Sequence, residues 1–272
     1  MKSVAYIERQ NPPLRVYAFL FLAFLYVPVL FLPLFSINDS IYVSFPLKAF
    51  TTKWYVQMLD SEPMHAALLN SLRVGIATAV FATILGVFGA KAVTRYRIPG
   101  RKPVVFTIML PLVIPGIILG VALLILVSRL GIQLSLYTVT LGHVLISVPF
   151  SMATLMARFE GFDKSMEEAA ADLGDNAWWT FWRVTFPIVF PGILASLLLC
   201  FTISFDEFIM AFFLSGTDPT LPIYMWGQLR FPQKLPSVLA LGSVILVVSF
   251  IVVFLSQWLR GRGAPEKIQE GR

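Results

Sequence analysis

Six long apolar runs separated by more polar connections dominate the chain. They cover 16–37, 66–93, 104–127, 134–157, 188–214 and 238–259. An α-helix needs about 20 such residues to cross the hydrocarbon core of a bilayer, and each run is long enough. The weakest is the second, whose uninterrupted stretch runs from Val74 to Ala90 between Arg73 and Lys91. Both flanking side chains can extend outward to the headgroups, so the span stands. The first run is too long for a cleavable secretory signal, and no small-x-small site follows it. The pattern predicts an all-α polytopic membrane protein of about six transmembrane helices, organised as a single transmembrane domain over 1–272.

Composition agrees with that reading and narrows it. Of 272 residues, 57% are hydrophobic and 13% charged, against roughly 25% charged in ordinary soluble domains. A soluble fold of this size has no interior large enough for so much apolar chain. The net charge of +6 is spread between apolar runs rather than gathered in one basic patch, which argues against a nucleic-acid partner. Basic residues also orient the bundle. One side takes Lys2, Arg9 and Arg15, the cluster Lys91, Arg95, Arg97, Arg101 and Lys102, then Arg158, Lys164 and Arg183, and finally Arg260, Arg262, Lys267 and Arg272, fifteen of the 21. The other side takes Lys48, Lys53, Arg73, Arg129, Arg230 and Lys234. The excess of positive charge marks the cytoplasmic side, so both termini are expected in the cytoplasm. The lone Cys200 cannot form an intramolecular disulfide and reads as a packed thiol.

Three connections are long enough to carry function. The outer segment 38–65 contains Phe50-Thr-Thr-Lys-Trp-Tyr55, read as an interfacial element, and the outer segment 215–237 holds Pro219, Pro222, Pro232 and Pro236, which predict a folded-back lid or short helix. The cytoplasmic segment 158–187 is the most polar. Ser165 followed by Glu168 has the spacing of a capping box. Met166 to Leu173 makes about two helical turns that Gly174 ends in a left-handed conformation. A second short helix starts near Asn176, bears Trp178, Trp179, Phe181 and Trp182, and is expected to end at Pro187. Physically this is a rigid helix-turn-helix displayed to the cytoplasm, a docking site without a named partner.

The same loop resembles a known family. Glu168-Ala169-Ala170, three residues to Gly174, nine more to Val184, then Phe186-Pro187 is similar to the EAA loop of binding-protein-dependent ABC importers, with Val for Ile and Phe for Leu. The resemblance implies a type I ABC importer permease fold. It also implies that Glu168, Ala169, Ala170, Leu173, Gly174, Val184, Phe186 and Pro187 couple the chain to a separate ATPase dimer, which binds ATP and magnesium. The chain itself has no G-x-x-x-x-G-K-[ST] loop and is expected to bind no cofactor. A second permease subunit, expected to make a heterodimer, and a periplasmic solute-binding protein complete the implied assembly. Phe50-Thr-Thr-Lys-Trp-Tyr55, Arg158-Phe-Glu-Gly-Phe-Asp163, Ile203-Ser-Phe-Asp-Glu-Phe208 and Leu221-Pro222 with Pro236 resemble the second permease of spermidine/putrescine importers. One departure is Gly116 after Pro115, where polyamine permeases often carry Asp. Pro-Gly there also resembles relatives suggested for opines, aminophosphonates and other small amines.

Within the spans, Asp206 and Glu207 are the only acidic residues. A carboxylate at the bilayer centre costs about 2.5–3.5 kcal/mol on insertion scales, so the pair needs a reason. One reading is a structural cap or an ion pair with Arg73 or Arg230. The other is an anionic lining of the substrate pathway, together with Phe205, Phe208, Pro115 and Gly116. Adjacent helical residues point about 100° apart, so one would face the pore while the other anchors. His143 reads as a packed histidine bonded to a neighbouring helix. Pro111, Pro115 and Pro149 are expected to kink their helices. No Ser-His-Asp set or metal-ligand cluster is present, and the expectation is a transport subunit rather than an enzyme. An ATP-independent secondary transporter is the alternative; inverted repeats or several deep charges would favour it.

Overall fold

The computed structural model describes residues 12–262. In chain order its helices are α1 (Pro12–Ser36), α2 (Lys53–Leu59), α3 (Glu62–Arg95) and α4 (Arg101–Met109). There follow α5 (Gly116–Arg129), α6 (Leu136–Glu160), α7 (Ser165–Asp172) and α8 (Ala177–Thr180). The last are α9 (Phe186–Asp206), α10 (Ile209–Leu214), α11 (Leu221–Gln228) and α12 (Leu235–Arg262). Lys2, Arg9, Lys267 and Arg272, and with them the placement of both termini, lie outside the described residues. Backbone packing gives two compact units. One holds the described residues up to Ser61 and those from Gly227 on, and the other is Glu62–Trp226.

In the first unit α12 packs against α1 and α2. Trp54, expected at the interface, is instead buried, and its indole Nε1–H donates to the Asn38 carbonyl at 2.8 Å. That bond and the Asn38–Phe50 bridge fold the outer segment onto itself.

The second unit is built on α3, α6 and α9. Its inward faces mix small and hydroxyl-bearing residues with apolar ones, while its outward faces are apolar. The inward face of α3 carries Ser71, Thr78, Thr83 and Gly86, while Ile76, Phe81, Ile84 and Phe88 point outward. In lipid, apolar side chains gain nothing by leaving the solvent; close approach and interhelical hydrogen bonds hold helices together instead. A Cβ at Gly86 would lie 2.0 Å from Ser151 Oγ, so α3 and α6 touch there because glycine permits it. Around that crossing Ser151 and Ser196 hydroxyls sit 2.7 Å apart and Thr83 and Ser196 3.0 Å apart. Further along, His143 Nδ1 and Ser204 Oγ are 2.7 Å apart across α6 and α9, the packed arrangement expected for that histidine.

Among the described residues five helices are long and apolar enough to cross a membrane, or six if the bent pair formed by α4 and α5 is one span. That pair corrects the expectation of a continuous helix over 104–127. Arg101–Leu112 and Gly116–Arg129 meet at 98°. Pro115 has no amide hydrogen and drives Ile114 out of the helical region, so with Pro111 four residues upstream the break exceeds a kink. The run 188–214 is also divided: α9 stops at Asp206, Glu207 is extended at ψ 117°, and α10 starts at Ile209. A third correction concerns Pro187, which does not end a helix. Phe181–Thr185 forms a π turn in which the Phe186 amide reaches back to the Phe181 carbonyl, and α8 runs on into α9. The wider turn accommodates the donor that proline lacks.

Candidate functional site

The loop over 158–187 forms around a glycine cap at Gly174 and side-chain caps from Asp163 and Asn176. Gly174 stands at φ +96°, its amide donates to Ala171 O at 2.9 Å, and the Asp175 amide donates to Ala170 O at 3.0 Å. This pair of bonds is a Schellman cap, which glycine permits without a Cβ penalty. Asn176 Oδ1 then accepts from the Trp178 and Trp179 amides at 3.1 and 3.0 Å and starts α8. The capping box expected from Ser165 and Glu168 is absent. Asp163 Oδ1 takes the Ser165 amide at 3.0 Å instead, which makes Ser165 the first helical residue and turns Glu168 outward onto Lys164 at 2.9 Å. The hydrogen bond from the Ser165 amide, and then the Ser165 hydroxyl, hold the Asp163 carboxyl below the ordinary carboxylate range. That cap therefore stays ionised through neutral and mildly acidic pH.

One face of α7 is open. Glu168 and Ala169 are exposed and Leu173 is 91% exposed, whereas Ala170 is buried. Val184 and Phe186 are half-buried and Pro187 is exposed. Phe186 belongs to an aromatic ladder, with ring centroids 4.9 Å from Trp182 and 5.6 Å from Phe190. An apolar leucine at the tip of a rigid polar hairpin is a knob without a hole.

The closed face of α7 was not legible in the sequence. Glu167, not Glu168, points inward. Its Oε2 lies 2.9 Å from Arg95 Nε, and its Oε1 accepts the Thr185 hydroxyl at 2.5 Å. Arg95 Nη2 also donates to the carbonyls of Phe159 and Phe162 at 2.9 and 3.1 Å. The two charged side chains are only 9% and 13% exposed. Removing one member of such a pair strands the other and typically costs about 3–5 kcal/mol.

A second constellation gathers at the far end of α9. The two helix breaks meet there: a Cβ on Gly116, at the start of α5, would lie 3.3 Å from Ile209 Cδ1, at the start of α10. Glu207 Oε1 accepts the Met210 amide at 2.9 Å and so caps α10. Asp206, the last residue of α9, is exposed. No ion pair joins it to Arg73 or Arg230 among the described residues. Aromatic rings flank the break. Phe208 lies 5.6 Å from Phe212 and 5.6 Å from Trp226, and Phe205 stacks on Phe201 at 5.7 Å. Pro115 is exposed and Gly116 half-buried. A free carboxylate at a helix C-terminus adds to the partial negative charge of unpaired carbonyls, and broken helices lining a cavity are how membrane proteins present such ends to solutes. Chemically the place suits an organic cation.

Comparison with known proteins assigns the chain. Residues 82–262 match the family described as binding-protein-dependent transport system inner membrane component. The spermidine/putrescine transport system permease protein PotC of Shigella flexneri is 32% identical over 90% of this chain and 94% of its own length. The putrescine transport system permease protein PotI of Escherichia coli (strain K12) is 32% identical over 91% of this chain and 90% of its own. Among solved structures, a chain of a bacterial alginate ABC transporter in complex with an alginate pentasaccharide-bound periplasmic protein superposes with a TM-score of 0.71 at 18% identity, covering 96% of both chains. By sequence and by fold, this chain belongs to the family of inner-membrane components of binding-protein-dependent transport systems.

Proposed function

We propose that the chain is a permease subunit that moves a small polyamine, of the spermidine or putrescine class, from periplasm to cytoplasm. A separate ATPase dimer drives it, beside a second permease subunit and fed by a periplasmic binding protein. The observation that carries the cationic cargo is Asp206. It is an exposed carboxylate without an ion pair among the described residues, at the C-terminal end of a broken helix beside Phe205 and Phe208. A carboxylate in a low-dielectric mouth attracts an ammonium, and ring faces add cation–π attraction at about 0.5–2 kcal/mol each. One such charge favours entry without trapping the cargo. The names of the 32% identical relatives support the same cargo class.

The open face of α7 supports the ATPase contact. Leu173 and Ala169 supply an apolar tip and a small residue that lets another backbone approach, and Glu168 stands beside them. The test of the cargo is uptake by the complete transporter carrying Asp206→Asn, which keeps the shape and removes the charge. Putrescine and spermidine uptake should fall about tenfold or more, with expression and ATPase co-purification unchanged. Undiminished uptake would remove Asp206 from the pathway.

A further inference from the structure

The geometry points to the buried Arg95–Glu167 pair as the joint that carries displacement of the docking helix into the membrane bundle. This assigns positioning roles to two residues that the reading above leaves without one. The inference rests on the loop being the ATPase-docking element.

The need for a joint follows from how loosely α7 is otherwise held. Of its eight residues only Ala170 is buried, and the chain leaves it through Gly174 at φ +96°. A helix held only by its own caps would shift under a partner's push without moving anything else. Two contacts of Glu167 oppose that, and a third braces their partner Arg95. Glu167 Oε2 meets Arg95 Nε at 2.9 Å, Glu167 Oε1 takes the Thr185 hydroxyl at 2.5 Å, and the Arg95 guanidinium sits 4.0 Å above the Phe162 ring. Arg95 ends α3, and its two hydrogen bonds, both from Nη2, reach the last turn of α6 at Phe159 and the connection at Phe162. Thr185 closes the π turn that opens α9. One guanidinium and one carboxylate thus join α7 to α3, α6 and α9, the three helices of the core.

The length of α9 makes this junction consequential. From Phe186 to Asp206 the helix has 21 residues, a rod of roughly 30 Å. Tilting its cytoplasmic end through Thr185 moves Asp206 at the other. The exposed Arg101–Glu160 pair touches the end of α6 rather than α7. The other ion pairs made from α7 onward in the loop, Lys164–Glu168 and Arg183–Asp175, bind loop residues to one another and involve largely exposed basic side chains. They can stiffen the hairpin, but they do not connect it to the core. A buried ion pair is a weak way to gain stability and a good way to select one arrangement, because it tolerates little misalignment.

The experiment uses the complete transporter in liposomes, with its ATPase, sister permease and binding protein, and measures putrescine moved per ATP hydrolysed. The informative variant is the double substitution Arg95→Met with Glu167→Gln. It removes both charges together and leaves an amide oxygen for the Thr185 hydroxyl. Expected is full ATPase co-purification and continued hydrolysis, with cargo moved per ATP reduced at least tenfold. Arg95→Lys keeps the charge, loses the fork to two carbonyls, and should fall between the double variant and the unaltered chain. A ratio within twofold of the unaltered chain in the double variant overturns the joint. So does failure of that variant to accumulate, since the pair would then be a folding element. If the unaltered chain retains no ATPase, the docking reading itself falls, and this inference with it.

Discussion

At residue scale the clearest requirement is at Gly174. Its φ of +96° is forced by the cap, yet nothing lies within 4 Å of where a Cβ would stand. The cost of a substitution there is purely conformational, about 1–2 kcal/mol for an ordinary side chain and less for Asn, which tolerates the left-handed region. Gly174→Val should therefore weaken ATPase retention roughly tenfold and Gly174→Asn markedly less, at equal amounts of inserted protein, by quantitative pull-down. Equal retention by both would show that the cap does not position the docking face. This glycine was readable in advance because the end of a two-turn helix leaves few alternatives. The inward glutamate was not. Which of the adjacent Glu167 and Glu168 faces the core depends on where α7 starts, and Asp163, by taking the Ser165 amide, makes Ser165 the first helical residue rather than its cap.

At the scale of elements, the two interrupted helices distinguish neighbouring carboxylates by role. Glu207 bonds the Met210 amide in the first turn of α10, whereas Asp206 bonds nothing comparable. Glu207→Gln keeps an oxygen for the Met210 amide and should transport at near-normal rates. Glu207→Ala loses the cap, at about 0.5–2 kcal/mol, and should lower accumulation in the membrane, read by detergent-solubilised yield and thermal melting. The opposite order would make the charge of Glu207 its essential property. Hydropathy placed these segments in the membrane but could not show the interruptions. Apolar runs read the same whether the backbone continues through them or turns, and only Pro115 announced a break. At 207–208 no proline or glycine marks the interruption; a carboxylate able to start a new helix is the whole signal. At Pro187 the error ran the other way, because a π turn let the helix continue through a residue that usually stops one.

At the scale of the whole molecule the outstanding property is sidedness. The loop 96–100, with Arg97 exposed, lies at the same end of the 62–226 unit as α7, since Arg95 touches Glu167 there. Asp206 and the segment after α10 lie at the opposite end of α9. Reporter fusions after Lys102 and Asp175 should thus report the same compartment, the cytoplasm, and a fusion after Thr217 the periplasm. A periplasmic signal at Asp175 would reverse the molecule and put the docking face out of reach of ATP. Charge counting supplies the expected orientation from short loops alone, and the fusions test it. It had no access to the grouping of residues before Ser61 with those after Gly227, because nothing in the local pattern of one segment specifies a distant partner.

The hydroxyl cluster at the Gly86 crossing also sets a timetable for biogenesis. Ser196 follows Ser151 by 45 positions and Thr83 by 113. At about 5–20 residues per second of synthesis, Thr83 leaves the ribosome roughly 6–20 s before the serine that will bond it exists. During that interval the hydroxyls of Thr83 and Ser151 lack Ser196 and can turn only to backbone carbonyls, to each other's helix across the Gly86 crossing, or to lipid headgroups. A nascent chain released before α9 is made would carry an exposed ridge of hydroxyls into the bilayer. Membrane quality-control proteases would meet it as an unfinished product, while the completed chain hides that ridge.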